Sequence, residues 1–420
     1  MAADLTIYNE FPGSTPTRIR RRRHRASWVV GLSALLLLAS PLQSDEPKNA
    51  ASTFRVVLFT GSGENVAFWK LFVDFMLCSA DDLDVELDVF YAYNDRPKMI
   101  AEIRKVCQQR DKPDAIVVQA FKQSGENSLR IAEQFQVPVF LVNSGLSKEQ
   151  RETLGAPRER LRYWIGEMLP DDEAAGYRLA NALIDEAIRL GRVSADGRVH
   201  VLGINGAVAN SASIQRAAGL KRAIEARKEE AKLTQIISAN WARDQARQRS
   251  RILHRRHPQA SVIWTASDHM AEGVVDAMGD LGLRPGKDVV IGGVDGTPEG
   301  MRMVREGTLH ATLGGHFMEG GWVAVLLHDY LKGVDVACIP PRFASPMTLI
   351  TKTNLAAYQA AANPSTWRRF DFCQLSRVRR PGRKEYQFGA NVLADGRKIE
   401  AAAPEAKQDR PSQHKHGNSE

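Results

Sequence analysis

The sequence predicts an α/β protein of two lobes, each a doubly wound parallel sheet of the Rossmann-like type. From residue 54 onward, short runs rich in β-branched residues alternate with longer helical stretches over about 300 residues. Several of the short runs, such as Ala115-Ile116-Val117-Val118, are apolar throughout, which is typical of strands buried on both faces of a sheet. The alternation passes through two cycles, Phe54–Gly145 and Val199–Asp295, and this repetition predicts the two lobes.

The predicted strands are short β-rich runs separated by turns or by helical segments. In chain order they are Phe54–Thr60, Val85–Ala92, Ala115–Gln119, Val137–Asn143, Arg162–Gly166, Val199–Asn205, Thr234–Ala239, Ser261–Thr265, Val289–Val294, Leu309–Leu313 and Met347–Thr351. The stretches between them have helical periodicity. From Asp172 to Leu190, for example, apolar residues such as Leu179 and Leu183 recur on one face with charges opposite, which predicts an amphipathic helix.

Length and charge narrow the class of protein. A chain of 420 residues, 43% of them hydrophobic, is too long for one ordinary core and favours two domains. The net charge of +8 arises at the two ends, from arginines in residues 1–44 and from twelve Lys or Arg against seven Asp or Glu in residues 356–420. The body between them is near neutral, so a basic groove for nucleic acid is not expected.

The N-terminus has the pattern of a targeting segment. A basic stretch, Arg18–Arg25, precedes the apolar run Trp28–Ala39, and small residues then precede a polar linker. This order predicts a signal peptide over residues 1–44, a linker over 45–53 and export to the periplasm. An uncleaved membrane anchor remains the alternative, although the apolar run is short for a membrane span.

The sequence shows neither a cysteine pattern typical of a metal site nor a familiar catalytic motif. The four cysteines, Cys78, Cys107, Cys338 and Cys373, lack the spacing of a metal site. Two alternatives are open for the cysteines: Cys78 and Cys107 form a disulfide, or the thiols are free and buried. Nucleophile-elbow, zinc-protease and phosphate-loop motifs are missing from the sequence, so we expect no enzymatic activity, no cofactor and no metal.

Polar and aromatic side chains instead follow the carboxyl ends of the predicted strands. In parallel sheets this edge is where ligands bind. Aromatic faces suit the C–H faces of a ligand, and amides and carboxylates suit hydroxyl groups, so the set predicts a site for a small polar ligand. Phe68 could equally belong to the core, and Asp268 could be a helix N-cap. The predicted ligand-binding residues are Glu64, Asn65, Phe68, Trp69, Gln119, Asn143, Trp241, Ser267, Asp268, Asp295 and His316.

Three segments of the second half carry a family resemblance. The segments Trp264–Ala271, Val290–Glu299 and Gly307–Thr312 resemble the type I periplasmic binding proteins of the ribose and galactose kind. They are similar also to the effector domains of sugar-responsive repressors and to the autoinducer-2 receptor. The resemblance covers roughly Phe54 to Thr351. It implies a sugar or sugar-like ligand and two lobes joined by a three-crossover hinge.

The resemblance also implies roles for individual residues. Phe68 and Trp69 match the aromatics after the first strand, Trp241 matches an aromatic of the second lobe, and Asp295 belongs to the GxDGTP-type turn. Ser267 and Asp268 match a ligand-binding Asn-Asp pair. The sequence departs from the family at four positions. Ser267 replaces Asn, Asn143 replaces an acidic contact, Ile214 replaces an arginine and Gly315 replaces Gln. Arg216 matches a neighbouring arginine of the family, and His316 lies beside Gly315.

The implied mechanism is hinge closure around the ligand. The chain would cross between lobes near Gly166–Pro170, Gly314–Phe317 and Pro341–Pro346. This gives a first lobe of residues 54–167 and 317–342, a second lobe of residues 168–316 and 343–355, and a basic, largely disordered tail over 356–420. We expect a monomer that delivers its ligand to the inner-membrane permease of an ABC transporter. The alternative is a periplasmic sensor that docks on a histidine kinase or a cyclic-di-nucleotide enzyme.

Overall fold

The computed structural model describes residues 17–18 and 53–393. The apolar run of the predicted signal peptide, its cleavage sites and most of the linker lie outside the described residues, as do residues 394–420. Among the residues described, no helix is both long enough and apolar enough to cross a membrane.

The first lobe is built on a sheet of seven strands. Its order is β1-β3-β2-β4-β5-β6-β12, and only the two-residue strand β1 at the edge runs antiparallel to its neighbour. The parallel order with helices between strands is that of a doubly wound sheet. The strands are β1 (Thr17–Arg18), β2 (Phe54–Thr60), β3 (Val85–Tyr91), β4 (Ala115–Val118), β5 (Val139–Val142), β6 (Trp164–Pro170) and β12 (Arg342–Ser345).

The second lobe is built on a sheet of six strands in the order β13-β11-β10-β9-β7-β8. All pairs are parallel except that of β13 with β11. The strands are β7 (Val199–Asn205), β8 (Ala231–Ser238), β9 (Val262–Thr265), β10 (Val290–Asp295), β11 (Ala311–Gly314) and β13 (Thr348–Ile350). The predicted two-lobed α/β fold and all eleven predicted strands are therefore confirmed.

Helices connect the strands in both lobes. They are α1 (Ala67–Asp82), α2 (Arg96–Cys107), α3 (Gly125–Phe135), α4 (Lys148–Leu154), α5 (Asp172–Arg189), α6 (Ser211–Ala226), α7 (Arg243–Arg256), α8 (Asp268–Asp280), α9 (Pro298–Glu306), α10 (Glu319–Leu331), α11 (Leu355–Ala362) and α12 (Pro364–Trp367). Short 3₁₀ helices lie at Phe121–Gln123, His316–Met318, Val336–Cys338 and Phe372–Gln374. Side chains of Asp171, Asn210 and Thr297 cap α5, α6 and α9.

The structure moves two of the predicted lobe boundaries. Strand β6 runs on to Pro170 within the first sheet, so residues 168–170 belong to the first lobe. Strand β12, which the sequence did not predict, also pairs with β6, so residues 343–345 belong to the first lobe as well. The last predicted crossing therefore narrows to the segment between Ser345 and Thr348. Strand β12 lies at a sheet edge and is half exposed, so it lacks the apolar run that marks the buried strands.

The prediction of a largely disordered tail from residue 356 is wrong for residues 356–393. Residues 355–393, which we call the C-terminal extension, form two helices and bury aromatic side chains against α1 and α10. Trp367 and Phe372 are fully buried, and Phe388 stacks on Trp322 with ring centroids 5.3 Å apart. Aromatic pairs of this kind supply a core without the regular periodicity that the sequence analysis relied on.

Cys78 and Cys107 do not form a disulfide bond with each other. Cys78 packs against the core cluster on one side of the first sheet, whereas Cys107 belongs to the cluster on its other side. The alternative of a disulfide between them is therefore excluded, because the sheet separates the two side chains. Among the four, Cys107 is buried and Cys338 is exposed, so the prediction of buried thiols is wrong for Cys338.

Candidate functional site

A cavity of about 360 Å³ opens between the carboxyl ends of the two sheets. Residues of both lobes line it, as expected for a cleft between two parallel sheets that face each other. Eight of the predicted ligand-binding residues are among its walls. These are Phe68, Trp69, Gln119, Asn143, Trp241, Ser267, Asp295 and His316.

The other three predicted residues do not line the cavity. Glu64 and Asn65 lie in the turn before α1, and both are exposed. Asp268 is fully buried behind the cavity wall, where it is surrounded by hydroxyl and backbone groups of its own lobe. Asp268 therefore does not line the cavity, and its contact with a ligand stays a prediction.

Asp268 instead supports the turn that carries Asp295. Its carboxylate accepts hydrogen bonds from the Thr297 amide (2.9 Å), the Thr297 hydroxyl (3.0 Å) and the Thr312 hydroxyl (2.6 Å). Burial and the nearby charge of Asp295 raise the pKa of Asp268. The N-cap of α8 is Ser267, whose hydroxyl accepts from the Met270 amide at 3.2 Å. The capping alternative for Asp268 is therefore replaced by a role behind the site.

An aromatic wall forms the first-lobe side of the cavity. Phe68 and Trp69 lie in the first turn of α1 and meet edge to face, with centroids 5.4 Å apart. The ring of Phe68 stacks on the His316 imidazole at 4.6 Å, so one aromatic of the wall touches the chain segment that crosses between lobes. Phe68 therefore belongs to the core, being 7% exposed, and also borders the cavity, while its contact with a ligand stays a prediction.

Trp241 forms the facing aromatic wall on the second lobe. Its backbone is left-handed, with φ of 63°, as is that of Asn240 before it. The indole lies over Gly206, where an added Cβ would come within 2.2 Å of the ring. The guanidinium of Arg216 stands 5.8 Å from the indole centroid, within the range of a cation–π contact. Gly206 is thus the residue whose lack of a side chain makes room for Trp241.

Arg216 is the central charged residue of the site. Its Nε donates to Asp172 at 2.6 Å and its Nη1 donates to the Ala266 carbonyl at 2.7 Å. At the longer distance of 3.5 Å, Nη1 reaches Asp295 and Nη2 reaches Nε2 of His316. The side chain is only 3% exposed, and desolvation raises the pKa of Asp172 in spite of the guanidinium beside it.

An amide network forms the polar part of the first-lobe wall. Gln119 accepts hydrogen bonds from the Thr60 hydroxyl (3.1 Å) and the Gly61 amide (3.0 Å), and its own amide donates to Asn143 at 3.4 Å. These bonds fix which way the Gln119 amide points. Asn143 has a left-handed backbone with φ of 61°, which turns it into the cavity directly after β5.

Glu319 supports Asn143 from behind. One of its carboxyl oxygens accepts from the Asn143 amide at 2.9 Å, and the other accepts from the Ser345 hydroxyl at 2.7 Å. The residue is completely buried, and burial raises the pKa of Glu319 well above its usual range. The acid thus joins the end of β5, the start of α10 and the end of β12, close to where the chain crosses to the second lobe.

The sequence analysis missed several residues of the cavity. The family match pointed to Arg216 without a role, although a lone arginine on the apolar face of α6 was a usable signal. The others lie in loops or in the first turn of a helix, where no sequence pattern marks them. These missed wall residues are Gly61, Ser62, Gly63, Tyr93, Asn94, Phe121, Ser144, Asn210, Asn240 and His269. Ile214 is 52% exposed and does not border the cavity.

The chemistry available in the cavity is that of recognition. Aromatic faces on both lobes flank amide, hydroxyl and carboxylate groups, a combination that fits hydroxyl-bearing ligands with apolar C–H faces. Within residues 53–393, no group of three or more His, Cys, Asp or Glu is placed to hold a metal ion.

Three comparisons relate the chain to known proteins. Residues 56–334 match the family model described as the periplasmic binding protein domain. The ribose import binding protein of Salmonella typhimurium is 23% identical over 280 residues, which are 67% of this chain and 85% of that protein.

Solved structures agree with this match. The crystal structure of a periplasmic sugar-binding protein from Pseudomonas fluorescens superposes with a TM-score of 0.72 at 30% identity, covering 81% of this chain and 99% of its own. A galactofuranose-binding protein shares the fold with a TM-score of 0.63 at 18% identity, covering 72% of this chain and 96% of its own.

Proposed function

The chain belongs to the periplasmic binding protein domain family, and on that premise we propose that it captures a sugar or sugar-like ligand between its lobes by hinge closure. The observation that carries the proposal is the division of the site between the lobes. Gln119 and Asn143 stand on one side, and Arg216 and Asp295 stand on the other. A ligand that bonds to both sides favours the closed state by its differential affinity for it.

The electrostatics of the cavity favour a neutral ligand. Arg216 is the buried cation of the site, and its charge is already shared by Asp172 and Asp295. A phosphate or carboxylate group on the ligand would therefore meet Asp295 without an unpaired cation to offset it. Hydroxyl groups can instead donate to Asp295 and accept from the Gln119 and Asn143 amides. The relatives named for ribose and galactofuranose support the same ligand class.

The test is a binding panel on the purified protein. Calorimetric titration with D-ribose, D-allose, D-galactose, L-arabinose and myo-inositol should find a binder, and ribose 5-phosphate serves as the charged counterpart. Small-angle scattering with the bound sugar should show compaction. No binding by any panel member, or tighter binding of the phosphorylated sugar, would overturn the proposal.

Asp295→Ala should abolish that binding with the fold retained, because Asp295 supplies the carboxylate of the cavity. Glu64→Ala is the matched control, since Glu64 is exposed beside the cavity and does not line it. Equal affinity in the Asp295 variant and the wild type would remove Asp295 from the site.

The cellular role is transport. We propose that the protein is exported to the periplasm and passes its sugar, chemically unchanged, to an ABC permease, as the name of the ribose import binding protein supports. Deleting the gene should abolish uptake of the sugar that binds in the panel. Unimpaired uptake with an altered transcriptional response to the same sugar would favour the sensor alternative instead. Mass spectrometry of the ligand after incubation should return the sugar added.

A further inference from the structure

The C-terminal extension touches both lobes. Helix α11 packs against α9 of the second lobe, and α12 packs against α1 of the first lobe. The chain therefore crosses between the lobes a fourth time, near Asn363, beyond the three crossings expected of the family. The extension lies after residue 334, where the match to the family model ends.

The first-lobe part of the extension is firmly anchored. Trp367 packs edge to face on Phe75 with centroids 5.2 Å apart. Further along, buried Asp329 of α10 accepts hydrogen bonds from the Arg377 amide at 2.6 Å and from the Tyr386 hydroxyl at 2.8 Å. A buried carboxylate with several donors is a strong point of attachment.

The second-lobe part of the extension places Tyr358 behind the ligand site. Tyr358 is 5% exposed. Its hydroxyl oxygen would be only 2.4 Å from a Cβ added to Gly314 and 2.8 Å from a Cβ added to Gly296. The hydroxyl is buried and finds no hydrogen-bond partner among the residues that the structure describes. Burial and the charges of Asp268 and Asp295 raise its pKa. Two glycines at the ends of β10 and β11 thus leave room for this one side chain.

The turn against which Tyr358 packs is strained. Asp295 has a φ of 128°, a region that residues other than glycine rarely adopt, and Gly296 follows with a φ of 62°. Such a backbone persists only where its surroundings over-determine it. The Gly296 amide has one long hydrogen bond, 3.3 Å to the Thr312 hydroxyl, so the packing of Tyr358 adds to the hydrogen bonds of Asp268 in confining the turn.

We propose that Tyr358 is a positioning residue that holds the Asp295-Gly296 turn in its ligand-contacting shape. The role of the turn in ligand contact rests on the proposed function.

Hydrogen exchange on the ligand-free full-length protein tests this directly. In Tyr358→Ala, amides of residues 295–297 should exchange about tenfold faster or more, as expected when a confined turn opens locally. Strands β2 and β4 should keep their exchange rates. Tyr386→Ala is the matched control, because it removes a tyrosine from the same extension at its first-lobe end. Tyr358→Phe keeps the ring and provides a milder variant should Tyr358→Ala unfold.

The outcomes separate the inference from the proposed function. Unchanged exchange at residues 295–297 in a folded Tyr358 variant would overturn the positioning role. Equal acceleration in Tyr386→Ala would reduce the effect to general loosening. With the sugar that binds in the panel, Tyr358→Ala should lose about tenfold in affinity and Tyr386→Ala less than about twofold. If the wild type binds no panel sugar, the proposed function fails while the exchange experiment still decides this inference.

Discussion

The buried pair of Arg216 and Asp172 makes the sharpest stability prediction. Arg216→Met should lower the free energy of unfolding by about 3–5 kcal/mol, because it leaves the Asp172 carboxylate buried without its cation. The two side chains are only 3% and 4% exposed and their atoms are 2.6 Å apart, so water cannot replace the lost partner. The measurement is urea unfolding followed by circular dichroism at pH 7.

A matched control lies on the same helix. Arg222 of α6 also pairs with a carboxylate of α5, with 2.6 Å between its Nη1 and Glu173, but these side chains are 54% and 44% exposed. Arg222→Met should therefore change the free energy of unfolding by less than about 1 kcal/mol. The contrast isolates burial, because the helix, the bond length and the substitution are the same.

The pH dependence of Arg216→Met has a definite sign. Burial raises the pKa of Asp172 in the folded protein, and removing Arg216 raises it further. The folded state then holds a proton that the unfolded state releases, so stability falls as the pH rises from the unfolded value through the folded pKa. The deficit of Arg216→Met should therefore shrink between pH 7 and pH 5.

Adding Asp172→Asn to Arg216→Met should recover part of the loss, since no charge is then left unpaired. The reasoning is refuted if Arg216→Met unfolds within about 1 kcal/mol of the wild type. It is refuted equally if the double variant is no more stable than the single one.

Two further predictions concern the walls of the site. Glu319→Gln should stay within about 1 kcal/mol of the wild type. Because burial raises the pKa of Glu319 above its ordinary value of 4.5, the wild type should lose stability as the pH rises above that value, and Glu319→Gln should not. Glu319→Leu leaves the Asn143 amide and the Ser345 hydroxyl unpaired and should lose about 1–3 kcal/mol. Urea unfolding across pH measures both, and equal profiles for the wild type and Glu319→Gln would contradict them. Gly206→Ala should displace Trp241 and weaken sugar binding by about tenfold or more, while Gly279→Ala, with open space around its Cβ position, should not. Calorimetric titration measures the affinity for the sugar. Unchanged affinity in Gly206→Ala would show that the position of Trp241 does not depend on the missing side chain at residue 206.

The sequence was most informative where burial imposes a pattern. Apolar runs such as Ala115–Val118 located the strands, because both faces of a parallel sheet exclude polar residues. Strand β12 was missed because an edge strand need not be apolar. The C-terminal extension was missed because its core consists of scattered aromatics such as Trp367, whose contacts with α1 come from distant parts of the chain.

The site, too, could be predicted only where residues stand at a fixed place in the strand pattern. Residues directly after a strand, such as Asn143 and Asp295, were predicted from strand order alone. Asp268 also follows a strand, but the sequence does not reveal that its carboxylate turns back to Thr297 and Thr312. Tyr358 was out of reach, because its place behind the ligand site depends on two glycines more than 40 residues away in the chain and on an extension with no strand pattern.

The charges around the cavity can be reconciled only if some carboxyl groups are neutral. Asp172, Asp268, Asp295 and Glu319 are buried in or behind the walls of the cavity, and in the described part of the chain Arg216 supplies the one buried guanidinium. Four carboxylates against one cation would repel strongly in a buried setting. Burial raises the pKa of both Asp268 and Glu319, so these two hold protons most readily, and Asp172 is paired with Arg216.

What remains facing the ligand is the Asp295 carboxylate together with neutral amides and aromatic rings. A neutral ligand that donates hydroxyl groups satisfies that carboxylate without adding charge to the cleft. A ligand carrying its own anion would add negative charge beside carboxyl groups whose burial already raises their pKa. We therefore expect the buried acids that brace the Asp295 turn and Asn143 to disfavour an anionic ligand as well.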